Sequence, residues 1–416
     1  MSLPDGVALC VLVAFLVWSI VGEAVRAGGL GEGVLDDFAF ARDLGSQVAL
    51  TGRYADPRAA SGASVVFAYP PPYALLQLAV RHAGPIAGPV IYMATLALAG
   101  AALAWSCLSL LGATRARLRW VAVLAAVAAC RVFVQSDLHH LNSNTLTVSL
   151  ALAGLVAFGP TPEAQGRDAF GGLLLACSLA IKPWALGIIP LLGLLGRFRA
   201  VGWSLVFVAA LFIAAPVVVV GPRGALALAS SWFAILKLSS DPGAVQSISV
   251  DNVSLAATAA ALGIEGALGS LLVRAVQLAW LAALGGLVLR AVRRVRTGDG
   301  LDGRSWLAMG ATLLVAPVPM TAIFQPHHAV AAVPLAMLVA LDARRLGFSR
   351  IAGAGRLAAL GCVFVLSSYG ASGPLRGPFV LASLALLVGA AWWPEASDPN
   401  RSPRPPDRTR IASVAR

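Results

Sequence analysis

The sequence predicts an all-α polytopic membrane protein, with about twelve transmembrane helices and a long first extracytoplasmic loop. Its 416 residues are 58% hydrophobic and 12% charged, with a mean hydropathy of +0.82, which leaves too little polar surface to coat a soluble globule. Uninterrupted apolar runs over residues 7–20, 86–111 and 201–220 approach or exceed the roughly 20 residues that a helix needs to cross about 30 Å of hydrocarbon. Period-two alternation of the barrel kind is absent, so helices are the expected spanning element.

The net charge of +12 and pI near 10.5 raise the question of nucleic acid. The arginines instead cluster in short segments between apolar runs, where the positive-inside rule assigns them to the cytoplasm. No basic stripe with interleaved aromatics accompanies them, so no nucleic-acid partner is expected. Cys10, Cys107, Cys130, Cys177 and Cys362 stand singly in apolar runs and read as small core residues. The first apolar run lacks a basic n-region and carries Asp5 in its place, so a retained helix is expected.

In chain order, the first span exports a loop over about residues 23–69, which carries Glu32, Asp36, Asp37, Asp43 and Asp56. Pro70, Pro71 and Pro72 then block regular helix before Tyr73, and residues 73–80 are too short to span, so a re-entrant segment is expected. Residues 86–111 return the chain to Arg115, Arg117 and Arg119 on the inside. The next span leads out to the polar stretch Gln135 to Asn144, which includes Asp137, His139 and His140. Two shorter apolar runs flank Lys182 and Pro183; counting them as two spans keeps Lys182 outside and both neighbouring arginine clusters inside. Residues 201–220 lead to a second outer loop over about 221–264, and the densest basic segment, 290–304, follows the next span. Four further spans put His327 and His328 outside. Residues 1–394 thus form one multi-span domain with both termini inside, and residues 395–416, rich in Pro, Arg and Ser, form a disordered cytoplasmic tail.

A few polar groups need a chemical reason. Lysine occurs only at Lys182 and Lys237. A cation between apolar runs is costly unless it snorkels to the interface or faces a polar cavity; at Lys182 it would serve as a compact point charge for phosphate. His327 and His328, beside Gln325 and Pro326, read either as structural or as donors to a phosphate oxyanion. Asn142 and Asn144 suit a hydrogen-bonding loop. No HxxxH or DxD pattern is present, so neither a metal nor a cofactor is expected. P-loop, GxSxG and CxxC motifs are missing too, which removes ATP-driven and serine-hydrolase readings.

Taken in order, Asp37-Phe38, Tyr69-Pro70-Pro71, an Asn-bearing outer loop, Lys182-Pro183 and His327-His328 resemble the polyprenol-phosphate-mannose-dependent α-mannosyltransferases of the C-type glycosyltransferase superfamily. The resemblance covers about residues 35–334. It implies a C-type glycosyltransferase fold with Asp37, or the adjacent Asp36, as catalytic base. It further implies that Lys182, His327 and His328 hold the donor phosphate and that Tyr69, Asn142, Asn144 and Asn252 contact substrate. Asn252-Val253-Ser254 matches the family's Asn-x-Ser, whereas Leu141-Asn142-Ser143-Asn144 departs from its usual Gly-Gln-x-Asn. The implied reaction moves a mannosyl or arabinofuranosyl unit from a polyprenyl-phosphate donor to a lipid-linked or polysaccharide acceptor at the outer face of the cell membrane, with membrane lipids as surroundings. One carboxylate and a few cations suffice for such an inverting displacement, because the leaving group is already activated.

Two other classes compete. A transporter or lipid flippase would place charges in mid-span and show matched halves, whereas this chain concentrates them in outer loops. An assembly partner with a decayed site would explain the departure at Leu141-Asn142. Sugar transfer from a polyprenyl-phosphate donor separates both from an enzyme.

Overall fold

Apolar runs bounded by proline, glycine and short polar turns set the helix limits throughout. The structure, a computed structural model, describes residues 3–26, 48, 53, 69–82, 87–112, 119–139, 142–160, 167–239, 254–264, 266–299, 302–320, 326–346, 351–369 and 376–392. Among these residues there is no strand. The helices are α1 (Leu3–Arg26), α2 (Pro71–His82), α3 (Ala87–Leu110), α4 (Arg119–Ala129), α5 (Arg131–His139), α6 (Asn144–Phe158), α7 (Asp168–Ile181) and α8 (Ile188–Leu194). They continue as α9 (Phe198–Ala209), α10 (Ala215–Ser239), α11 (Leu255–Ala261), α12 (Gly266–Arg294), α13 (Gly303–Val315), α14 (Val333–Leu346), α15 (Ile351–Tyr369) and α16 (Arg376–Trp392).

The centre is the 3₁₀ stretch Pro326–Ala332 running into α14, buried almost throughout. Met337, Leu338 and Val339 pack there with Val123 and Ala126 of α4, Leu152 and Leu155 of α6, Trp306 and Met309 of α13, and Leu384 and Leu387 of α16. Small polar side chains tie neighbouring helices together where lipid supplies no hydrophobic drive. Ser149 Oγ donates to the Ala99 carbonyl at 2.5 Å, Ser178 Oγ to Thr147 O at 2.8 Å, and Trp306 Nε1 to Leu155 O at 2.8 Å. Residues 198–237 and α12, by contrast, are apolar and mostly exposed, the signature of helices that face hydrocarbon.

One end of the bundle is rich in arginine. Arg197 bonds Asp168 at 3.4 Å and also the Gly159 carbonyl. Arg296 reaches Leu194 O at 2.7 Å. Arg304 grips Asp342 Oδ2 through Nε at 2.8 Å and Nη2 at 2.6 Å, with Arg356 Nε at 3.8 Å from the same oxygen. Asparagine, lysine and histidine gather at the opposite ends of α6, α7 and the 326–332 stretch.

Four helices among the described residues are long and apolar enough to cross a membrane: Val90–Leu110, Phe198–Lys237, Gly266–Thr297 and Pro326–Arg344. Counting α4 and α5 as one span bent by 78° makes five. The remaining apolar helices are shorter; α6, at 15 residues, extends about 22 Å at 1.5 Å per residue.

Two local expectations are revised. Regular helix begins at Pro71 rather than after Pro72, because proline's missing N–H costs nothing in a first turn. Residues 222–239, expected to begin an outer loop, are helical. The apolar run does end at Gly221, whose φ of 74° before Pro222 breaks the helix there. The two runs flanking Lys182 form a tight hairpin: the chain climbs α7 and returns through the 3₁₀ turn Pro183–Gly187 and α8, so that Arg197 meets Asp168.

Candidate functional site

Lys182 stands at the tip of that hairpin because of the residue after it. Pro183 disfavours helical backbone at its predecessor, and Lys182 is extended at φ −146°, ψ 137°. Its N–H still closes the last turn of α7 on Ser178 O, at 3.0 Å. The side chain leaves the helix axis and enters a polar cluster between α5, α6 and the 326–332 stretch.

The cluster is built around a turn between α5 and α6. The bend at Cys130 swings α5 across the bundle and brings Asp137, fully buried, beside the start of α6. Ser143 occupies the N-cap position without a side-chain capping bond. Asp137 supplies the acceptor instead: its Oδ2 takes the Thr145 N–H at 3.0 Å and the Thr145 hydroxyl at 2.6 Å, while its Oδ1 takes Asn144 Nδ2 at 2.7 Å. The Asn142 N–H closes the turn on Asp137 O at 2.9 Å.

Lys182 Nζ donates to Asn142 Oδ1 at 2.9 Å and to Asn144 Oδ1 at 2.5 Å. Two aromatic faces flank the ammonium, Tyr69 at 5.1 Å and Trp184 at 5.2 Å, within cation–π range. Tyr69 stacks on Tyr73, whose hydroxyl lies 3.1 Å from that of Tyr92. Trp184 meets His328 edge to face at 5.5 Å, and His328 meets His327 likewise at 4.6 Å. The buried His327 ring places Nε2 3.2 Å from Asn142 Nδ2, and its carbonyl accepts Asn144 Nδ2 at 3.2 Å.

Six residues singled out from the sequence therefore meet here: Tyr69, Asn142, Asn144, Lys182, His327 and His328. Asp36, Asp37 and Asn252 lie outside the described residues. Sequence reasoning gave no role to Asp137, Thr145, Trp184, Tyr73 or Tyr92. Asp137 was a carboxylate in an apolar chain, eight residues before the hydroxyl it binds, and that spacing was its available signal. Trp184 lies two residues beyond the lysine it flanks. Among the described residues, no group of three His, Cys, Asp or Glu side chains is placed to hold a metal ion. The arrangement presents a caged ammonium and a partly exposed imidazole, His328, beside aromatic walls, which is chemistry suited to an anion attached to an organic group.

A helical bundle with lipid-facing spans and a polar cluster at one end defines a polytopic membrane protein. The model of glycosyltransferase family 87 matches residues 67–317, more than half of the chain, and the chain belongs to that family. It is a membrane glycosyltransferase. The match contains Tyr69, Asp137, Asn142, Asn144 and Lys182 and ends before His327. No curated protein and no solved structure matches the chain.

Proposed function

We propose that the protein is an inverting α-mannosyltransferase that uses a polyprenyl-phosphate sugar and acts at the outer face of the cell membrane on a lipid-linked or cell-envelope glycan. The carrying observation is the caged ammonium of Lys182, held by Asn142 and Asn144 between Tyr69 and Trp184. It offers a localised positive charge to a phosphate leaving group. Asp37, or Asp36 beside it, takes the proton of the acceptor hydroxyl as its oxygen attacks the anomeric carbon. The bond from that carbon to the phosphate oxygen breaks, and polyprenyl phosphate departs toward Lys182 and His328.

Two further features support this reading. An apolar groove of about 470 Å³ runs between α3, α6 and α7, past Leu98, Trp105, Leu150 and Phe170, to Arg167. Its wall residues Leu146 and Leu150 also pack against the Tyr69 and Tyr73 cluster, so it adjoins the polar site. An isoprenoid chain suits such a surface. The arginine-rich end of the bundle lies opposite the site, the polarity that the positive-inside rule gives to a site on the outer face. About twelve spans in a C-type arrangement are part of the same proposal.

The test is transfer of radiolabelled mannose from polyprenyl-phosphate-mannose in membranes. Asp37→Asn is expected to abolish transfer at unchanged membrane abundance. Full activity in purified Asp37→Asn would move the role to Asp36. Failure of the natural protein with both mannose and arabinofuranose donors would overturn the donor class.

A further inference from the structure

We propose that Asp137 is a positioning residue for Lys182, acting through the side-chain amide of Asn144; this rests on the reading of Lys182 as the donor-phosphate group. Asp137 has no access to solvent, and three donors occupy its two oxygens: Asn144 Nδ2, the Thr145 N–H and the Thr145 hydroxyl. A carboxylate offers only acceptors, so Asn144 must turn its NH2 toward Oδ1. The second amide hydrogen goes to the His327 carbonyl, at 3.2 Å. With both donors committed, the amide has one orientation, and its oxygen faces Lys182 at 2.5 Å.

Capping α6 does not account for this arrangement. The Thr145 N–H alone would serve a cap, and an uncharged Asn at position 137 would accept that bond equally well. What the carboxylate adds is a fixed sign at Oδ1. Replace it by an amide and position 137 can present NH2 there; Asn144 is then free to flip and offer its own NH2 to an ammonium that needs an acceptor. Lys182 loses one of the two amide oxygens that hold it, and with it its fixed place beside the donor phosphate. The carboxylate acts at one remove and touches neither sugar nor phosphate.

The experiment compares the natural protein with Asp137→Asn, kinetically and by NMR. Kinetically, Asp137→Asn is expected to raise the donor KM by about tenfold to a hundredfold, the loss of a bond to a charged group, with the acceptor KM little changed. Independently of any donor, selectively ¹³C-labelled lysine in a Lys237→Arg background leaves Lys182 as the single lysine signal. Its two Hε protons are expected to be inequivalent in the held side chain and to merge in Asp137→Asn. If Asp137→Asn does not fold, Asn144→Ala, which leaves the carboxylate and its Thr145 bonds in place, is expected to give the same KM rise and the same averaged signal. An unchanged Lys182 signal together with an unchanged donor KM overturns the proposal. A protein that transfers from no polyprenyl-phosphate sugar but shows the spectral change refutes the donor reading and leaves the Asp137 linkage standing.

Discussion

Lys182 and His327 are joined through the single amide of Asn142, whose oxygen accepts from Nζ at 2.9 Å and whose nitrogen lies 3.2 Å from Nε2. An ammonium only donates, so the NH2 of Asn142 points to the imidazole, Nε2 accepts, and the ring proton resides on Nδ1. The lysine thereby sets the tautomer of a histidine it does not touch. Asn142→Leu is expected to cost about 1–3 kcal/mol of stability, the penalty for withdrawing a donor from a buried acceptor. Thermal unfolding in detergent checks this, and the donor KM is expected to rise in the same variant.

Replacing Lys182 by Arg keeps the charge but changes its shape. Among the described residues, two amide oxygens and two ring faces surround a compact ammonium, and a planar five-donor fork does not share that geometry. Lys182→Arg is expected to lose at least about tenfold in kcat/KM for the donor, close to the loss in Lys182→Met. Steady-state kinetics with near-natural activity in the arginine variant would contradict the caged geometry.

The groove beside α6 makes a prediction about lipid length. Ala153 lies on its wall, and Ala153→Trp would fill part of the 470 Å³. The expected outcome is a raised KM for a long polyprenyl donor and an unchanged KM for a donor whose short isoprenoid stops before the obstruction. Equal effects on both donors would separate the groove from the carrier chain.

At the arginine-rich end, Asp342 is the anion on which Arg304 and Arg356 converge. Arg356 is 1% exposed, so its charge is held away from water. Asp342→Ala is expected to cost about 3–5 kcal/mol, the order found when one partner of a buried ion pair is withdrawn. A lowered unfolding midpoint with near-normal KM in the surviving folded fraction is the expected readout, since this cluster lies opposite the end at which we propose that substrate binds.

Much of the site was legible because charge is conspicuous in an apolar chain. Lys182 and the His327-His328 pair stood out by composition alone, and Pro183 announced the break that turns the lysine inward. The boundary at Gly221 could be read from Gly-Pro, yet not that residues 222–239 remain helical; propensity does not reveal that Leu228 and Ile235 find burial against Tyr69 and Tyr73. Asp137 was hidden for a different reason. Its importance lies in which atoms it orients, and hydrogen-bond direction leaves no trace in periodicity. Likewise the full count of spans is hard to infer from hydropathy where a 14-residue helix such as α7 ends at a polar tip.

That tip constrains how the chain can vary in length. Each residue of an α-helix advances about 1.5 Å and turns about 100°. One residue inserted between Gly172 and Ile181 would therefore rotate Lys182 from the amide oxygens toward another quadrant of the bundle. Pro183 fixes the end of α7, so a neighbouring turn cannot absorb the change. Natural variation in length is expected to accumulate between α6 and α7, leaving the 14 residues of Asp168–Ile181 as a ruler that measures out where the charge is delivered.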